Sequence, residues 1–159
     1  MCQFNLAIVD AESNNSKLKK VFDQNGLSFL LIENVYLNKQ LGFNVKIISP
    51  TTSTCDCDSV IGYDTQYIDL QNTEKEIKKQ NDKLILLDDE LNKWCETIKM
   101  CFNLKLTKRF GILTHFYSGT LEDEKIDIST VEELDYNNFL PKKLKEIELD
   151  ELLLLKINS

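Results

Sequence analysis

Gln3-Phe4-Asn5-Leu6-Ala7-Ile8-Val9, followed by Ser13-Asn14-Asn15-Ser16-Lys17-Leu18-Lys19-Lys20-Val21-Phe22, opens the chain with a change of hydrophobic period. In the first stretch Phe4, Leu6 and Ile8 alternate with Gln3, Asn5 and Ala7, the period of a strand. In the second, Leu18, Val21 and Phe22 recur at helical spacing behind a run of N-cap residues, and Gly26 stands where a helix ends. A strand followed by a helix this early sets the pattern for what comes next. Ser28 to Ile32 reads as a second strand, Val35 to Leu41 as a short helix or an irregular link closed by Gly42, and Phe43 to Ser49 as a third strand. Pro50 ends that strand and opens the polar loop Thr51-Thr52-Ser53-Thr54.

The longest element follows Gly62. Thr73 and Glu76 have capping-box spacing, and Ile77, Leu84, Leu87, Leu91, Trp94, Ile98 and Cys101 recur in steps of three, four and seven. The spacing predicts a helix over 73–104, either continuous or broken near Asp88-Asp89 into two. Lys75, Lys78, Lys79 and Lys83 form a solvated face, with Glu74 and Lys78 at pairing distance. Arg109 to Tyr117 reads as a further strand ending in the turn Ser118-Gly119. Ser129-Thr130-Val131-Glu132 has a second capping-box spacing and predicts a short helix, and Leu152 to Ile157 reads best as a terminal strand, although Leu144, Ile147, Glu151, Leu152 and Leu155 also fit a helix. The order β-α-β-β-α-β plus a C-terminal extension implies one α+β domain over 1–159. Its expected form is a single antiparallel or mixed sheet with helices on one face, in a ferredoxin-like arrangement.

Composition narrows the function. The chain has 159 residues, 42% hydrophobic and 28% charged, and a net charge of −7. An acidic chain whose only arginine is Arg109 has no cationic surplus to release counterions from nucleic acid, so no nucleic-acid partner is expected. Apolar runs such as Leu152 to Leu155 reach four residues, against the ~20 of a membrane helix, and the N-terminus lacks the pattern of a signal peptide. A cytoplasmic protein without a membrane partner is the expectation. In a reducing compartment five cysteines read as thiols, ligands or core residues rather than a disulfide framework.

Cys55-Asp56-Cys57 is the stretch with chemistry in it. Cys2 and the single histidine, His115, complete a possible tetrahedral set for a soft ion such as Zn²⁺. In a ferredoxin-like sheet Cys2 and His115 are neighbours. The Cys55/Cys57 loop leaves the third strand at the other end in such a sheet, so that Thr51 to Thr54, at ~3.3 Å per residue, must fold back along the sheet for the four residues to meet. Two other functions fit the same residues. A non-enzymatic interaction module would use the long helix 73–104, with Phe110, Phe116 and Tyr117 nearby, against a protein partner or a second copy. An N-terminal-cysteine hydrolase would use Cys2 with its own α-amine, or with His115, after removal of Met1. Cys95 and Cys101 fall near the apolar stripe and read as small core residues.

Met1-Cys2, Cys55-Asp56-Cys57 and Leu113-Thr114-His115-Phe116-Tyr117-Ser118-Gly119 together resemble an uncharacterised bacterial family with an N-terminal Met-Cys, a Cys-Asp-Cys-Gly loop and a Leu-x-His-Trp-Tyr-Ser-Gly strand. Asp58 stands where that pattern has glycine and Phe116 where it has tryptophan. The resemblance implies no activity. It implies only that the three segments belong together.

Overall fold

The structure is a computed structural model that describes residues 2–65 and 74–158. The expected cap at Thr73, and the side-chain roles read between Glu74 and Lys79, lie outside the described residues. Among the described residues six strands form one mixed sheet: β1 (Cys2–Asp10), β2 (Leu30–Ile32), β3 (Val45–Ser49), β4 (Arg109–Tyr117), β5 (Thr130–Asp135) and β6 (Glu151–Lys156). Helices α1 (Asn15–Gln24), α2 (Val35–Gln40), α3 (Glu74–Asn103) and α4 (Lys143–Glu146) complete the α+β fold. The strand order is β2-β3-β1-β4-β6-β5. Every pairing is antiparallel except the parallel β5–β6 pair.

Because strand side chains alternate between faces, β1 contributes to two separate cores. Ala7 and Val9 meet Phe110, Ile112, Leu153 and Leu155 of the neighbouring strands, under Leu18 and Phe22 of α1 and Trp94 and Ile98 of α3. Leu6 and Ile8 turn the other way, with Ile47, Leu113, Leu152 and Leu154, and are covered by Leu37 of α2 and by Ile126. The sheet is thus buried on both faces, and this is why β6 reads as the unbroken run Leu152 to Leu155. The expectation of helices on one face holds for α1 and α3 but not for α2, which closes the opposite side. β6 and β5 also extend the sheet beyond the strands of a four-stranded ferredoxin-like arrangement.

Local signals account for most element ends. Asn14 Oδ1 accepts from Lys17 N at 3.0 Å and caps α1. At the other end Gly26, at φ +76°, lets Leu27 N donate to Phe22 O at 2.9 Å and Gly26 N to Asp23 O at 3.1 Å, the paired bonds of a Schellman motif. Helix α3 is continuous through Asp88 and Asp89, so the one-helix reading is the right one. Among the described residues no helix is long and apolar enough to cross a membrane.

The helix expected at Ser129 to Glu132 is instead the start of β5. A capping box needs a helix to cap, whereas here the free edge of β6 offers a ladder to the β-branched Thr130 and Val131. Glu132 does not reach back to Ser129; its Oε1 accepts from Lys143 Nζ at 2.7 Å.

Candidate metal centre

Unequal strand lengths create the site. β1 has nine residues and β3 five, and β3 pairs with β1 only from Ala7 to Asp10. Beyond Ala7, the edge of β1 at Gln3 and Asn5 has no strand partner among the described residues, and buried backbone groups left unpaired are costly. The loop after Pro50 takes the place of β3. Asp56 N donates to Gln3 O at 2.8 Å, and Asn5 N donates to the Asp56 carboxylate at 2.8 Å. Thr51 Oγ1 donates to the same carboxylate oxygen at 2.6 Å. One aspartate therefore pins the middle of the loop to the strand.

The flanking thiols are fixed by that pin. Gln3 N donates to Cys57 Sγ at 3.4 Å, and the sulfurs of Cys55 and Cys57 stand 3.0 Å apart. Cys2 begins β1, opposite Tyr117 of β4. The sulfurs of Cys2, Cys55 and Cys57 all lie within 4.8 Å of one another. Thiolates 2.3 Å from a tetrahedral ion sit about 3.8 Å apart, a change that side-chain rotation supplies. Cys2 and Cys57 are exposed and Cys55 is half-buried, so an ion and its exchange partners can reach them.

This geometry corrects the expected path of the loop. Because β3 runs antiparallel to β1, with Val45 opposite Asp10 and Ile48 opposite Ala7, its C-terminal end points towards Cys2. The loop leaves at the same end of the sheet as Cys2, and no return along the sheet is needed. Cys2, the Cys55-Asp56-Cys57 loop and Tyr117 of β4 lie at this end of the sheet.

His115 is placed differently. It sits opposite Phe4 on β4, but its Nδ1 engages the Asp150 carboxylate and its Nε2 lies 3.4 Å from Glu124 Oε1. Its ring edge-packs on Tyr117 at 5.0 Å between centroids. Two carboxylates claim both ring nitrogens, and the converging ligand atoms are the three thiols without it. Cys95 and Cys101 belong to the core, as expected. Burial pushes their thiols up to about 11 and about 12 respectively, which makes them poor ligands and poor nucleophiles.

The support behind the loop was not evident in the sequence. Gln3 and Asn5, the polar positions of the opening strand, are each 1% exposed. Asn5 Nδ2 donates to Ser59 Oγ at 2.7 Å. Ser59 Oγ in turn donates to Glu90 Oε1 at 2.5 Å, and Val60 N donates to Glu90 Oε2 at 2.8 Å. Glu90 thus ties α3 to the end of the cysteine loop. The one sequence signal for it is a glutamate on the side of the α3 stripe where Leu87, Leu91 and Trp94 turn inward. Between the loop and α3 lies a cleft of about 460 Å³, with Cys55, Asp56, Asp58, Asp89, Glu90 and Lys93 on its walls.

Burial raises the Glu90 carboxyl above its ordinary 4.5, outweighing the hydrogen bonds from Ser59 and Val60; the nearby Asp56 charge adds to the rise. In the folded protein such an acid keeps its proton at pH values where the unfolded chain has lost it. Its favourable contribution is complete below 4.5 and is lost as pH rises through the raised value. The stability of the wild type relative to Glu90→Gln should therefore fall between about pH 4 and pH 7. Urea midpoints of both proteins at the two pH values check this, and a constant difference would contradict it.

No protein-family model, curated protein or solved structure matches this chain.

Proposed function

We propose that Cys2, Cys55 and Cys57 bind a soft metal ion of the Zn²⁺ class. The observation that carries this reading is the convergence of three solvent-accessible sulfurs within 4.8 Å from two segments more than fifty residues apart. Thiolates select Zn²⁺ and similar soft ions over Mg²⁺ or Ca²⁺. The Gln3 N–H bond to Cys57 Sγ and the hydrogen-bonded Asp56 pin are the outer partners that orient metal ligands. Three protein ligands leave one of the four usual zinc positions for water or an exogenous atom.

Metal content after zinc loading and desalting tests the proposal. The wild type is expected to retain about one equivalent, as a single four-coordinate site requires. Cys2→Ser, Cys55→Ser and Cys57→Ser should each lose more affinity than the roughly 10–100-fold carried by an outer hydrogen-bond partner, measured by chelator competition. His115→Ala should retain the ion, since its nitrogens face Asp150 and Glu124. A wild type that comes through loading without metal overturns the reading.

A further inference from the structure

The metal reading does not use two features of the site: the very close approach of Cys55 to Cys57, and the cleft that reaches Cys55. We propose that, in the metal-free protein, Cys55 and Cys57 form a dithiol–disulfide exchange pair whose substrates are small cationic disulfides received in the acidic cleft beside α3. The inference does not depend on metal binding, because it needs only the two loop thiols and the cleft.

The two sulfurs are 3.0 Å apart and are held on one side of the loop by the Asp56 pin. Exchange needs a second thiol within reach of the first, so that a mixed disulfide is resolved before it is lost. Cys55 is on the cleft wall and is the sulfur an incoming substrate meets. Cys57 is exposed beside it and, with the Gln3 N–H directed at its sulfur, serves as the resolving thiol. The buried thiols of Cys95 and Cys101, raised by burial, take no part.

The steps balance without a further reactant. Cys55 sulfur attacks one sulfur of the substrate; a Cys55–substrate bond forms, the substrate disulfide breaks, and the leaving thiolate takes up the proton given up by Cys55. Cys57 sulfur then attacks Cys55 sulfur, and the second thiol leaves with the proton of Cys57. The protein dithiol is oxidised by two electrons and the substrate is reduced to two thiols. The resulting bond spans a single intervening residue. Such a bond is strained and therefore readily reduced again by a thiol, which suits turnover rather than structural cross-linking.

Charge selects the substrate. Asp56, Asp58, Asp89 and Glu90 line the cleft, with Lys93 as its one lysine among the described residues. Lys93 pairs with Asp89 at 3.2 Å and Lys83 with Asp58 at 3.1 Å, which leaves Asp56 and Glu90 as the wall carboxyls without a lysine partner among the described residues, so the acidic excess is in place at a pH above the raised value of Glu90. A cleft of about 460 Å³ falls in the range of small-molecule sites, and a negative cleft concentrates cations.

The experiment uses the full chain, reduced and stripped of metal by chelator, with cystamine as the probe. The expected products are two cysteamine molecules per disulfide consumed and a protein disulfide that peptide mass mapping places at Cys55–Cys57. Cys57→Ser should stop at a cysteamine adduct on Cys55. With glutathione as reductant, turnover should exceed that of the Cys55→Ser/Cys57→Ser double variant by at least about tenfold. Cystamine should be preferred over anionic dithiodipropionate by about fivefold or more relative to their rates with free glutathione, and added salt should shrink that preference. A disulfide that maps to Cys2, a Cys57→Ser protein that clears its adduct, or an absent charge preference overturns the proposal. Zinc retention by the wild type, measured separately, distinguishes the two: a wild type that retains no zinc and still exchanges overturns the metal reading alone, and one that retains zinc but fails to exchange after stripping overturns this proposal alone.

Discussion

Asp56→Ala is expected to weaken metal binding about 10–100-fold, the effect of removing the outer partner that orients a ligand set, although Asp56 itself is not a ligand. Its carboxylate accepts from Asn5 N and Thr51 Oγ1, and both bonds vanish in alanine. The backbone bond from Asp56 N to Gln3 O survives, so the loop stays near β1 but loses its lateral pin. Cys55 and Cys57 then sample positions from which they no longer reach Cys2 together. The cost to folding is smaller. Asn5 is 1% exposed, and a buried N–H without an acceptor costs roughly 1–3 kcal/mol. Burial already holds the Asp56 carboxyl above its ordinary 3.8, against the lowering by Thr51 and Asn5, so removing this partly desolvated acid gives some of that cost back. Chelator competition and a urea midpoint on the same protein separate the two effects. Unchanged affinity would show that the loop is held by something other than this carboxylate.

Asp10→Ala is expected to be the most destabilising change, by about 3 kcal/mol, the lower end of the range for stranding one partner of a buried ion pair. Asp10 ends β1 at 1% exposure and is a hub for the start of β4. Its Oδ2 accepts from Thr107 Oγ1 at 3.0 Å, Lys108 N at 2.8 Å and Arg109 N at 3.1 Å. Its Oδ1 accepts from Arg109 Nε at 2.9 Å and pairs with the guanidinium at 2.8 Å. That guanidinium also lies 3.6 Å over the Phe43 ring. The Arg109 side chain is 34% exposed, so water recovers part of the loss, and the lower figure follows. In a chain of this size the change corresponds to a fall in Tm of about 6–12 °C, measured by thermal unfolding. Arg109→Met should cost less, because Asp10 keeps its bonds to Thr107 and two backbone amides.

Where the sequence reading succeeded, the signal was local. The alternation of Phe4, Leu6 and Ile8, the N-cap at Asn14 and the stop at Gly26 each involve residues within a turn or two of one another, and the chain obeys them. Where it failed, the deciding partner was distant. Thr130 to Asp135 pairs with β6 some twenty residues on, so a capping-box spacing lost to a sheet edge. His115 found Asp150, 35 residues away, and so did not join the thiols.

By itself the sequence determined the α+β class, the positions of most elements, and the identity of Cys2, Cys55 and Cys57 as thiols outside any apolar pattern. Only the tertiary structure decided that these three meet and that His115 stands apart. The physical reason is register. Strand pairing brings residues 2 and 55 together through the antiparallel sense of β3 and its short length, and the unpaired edge this leaves on β1 is what Asp56 binds.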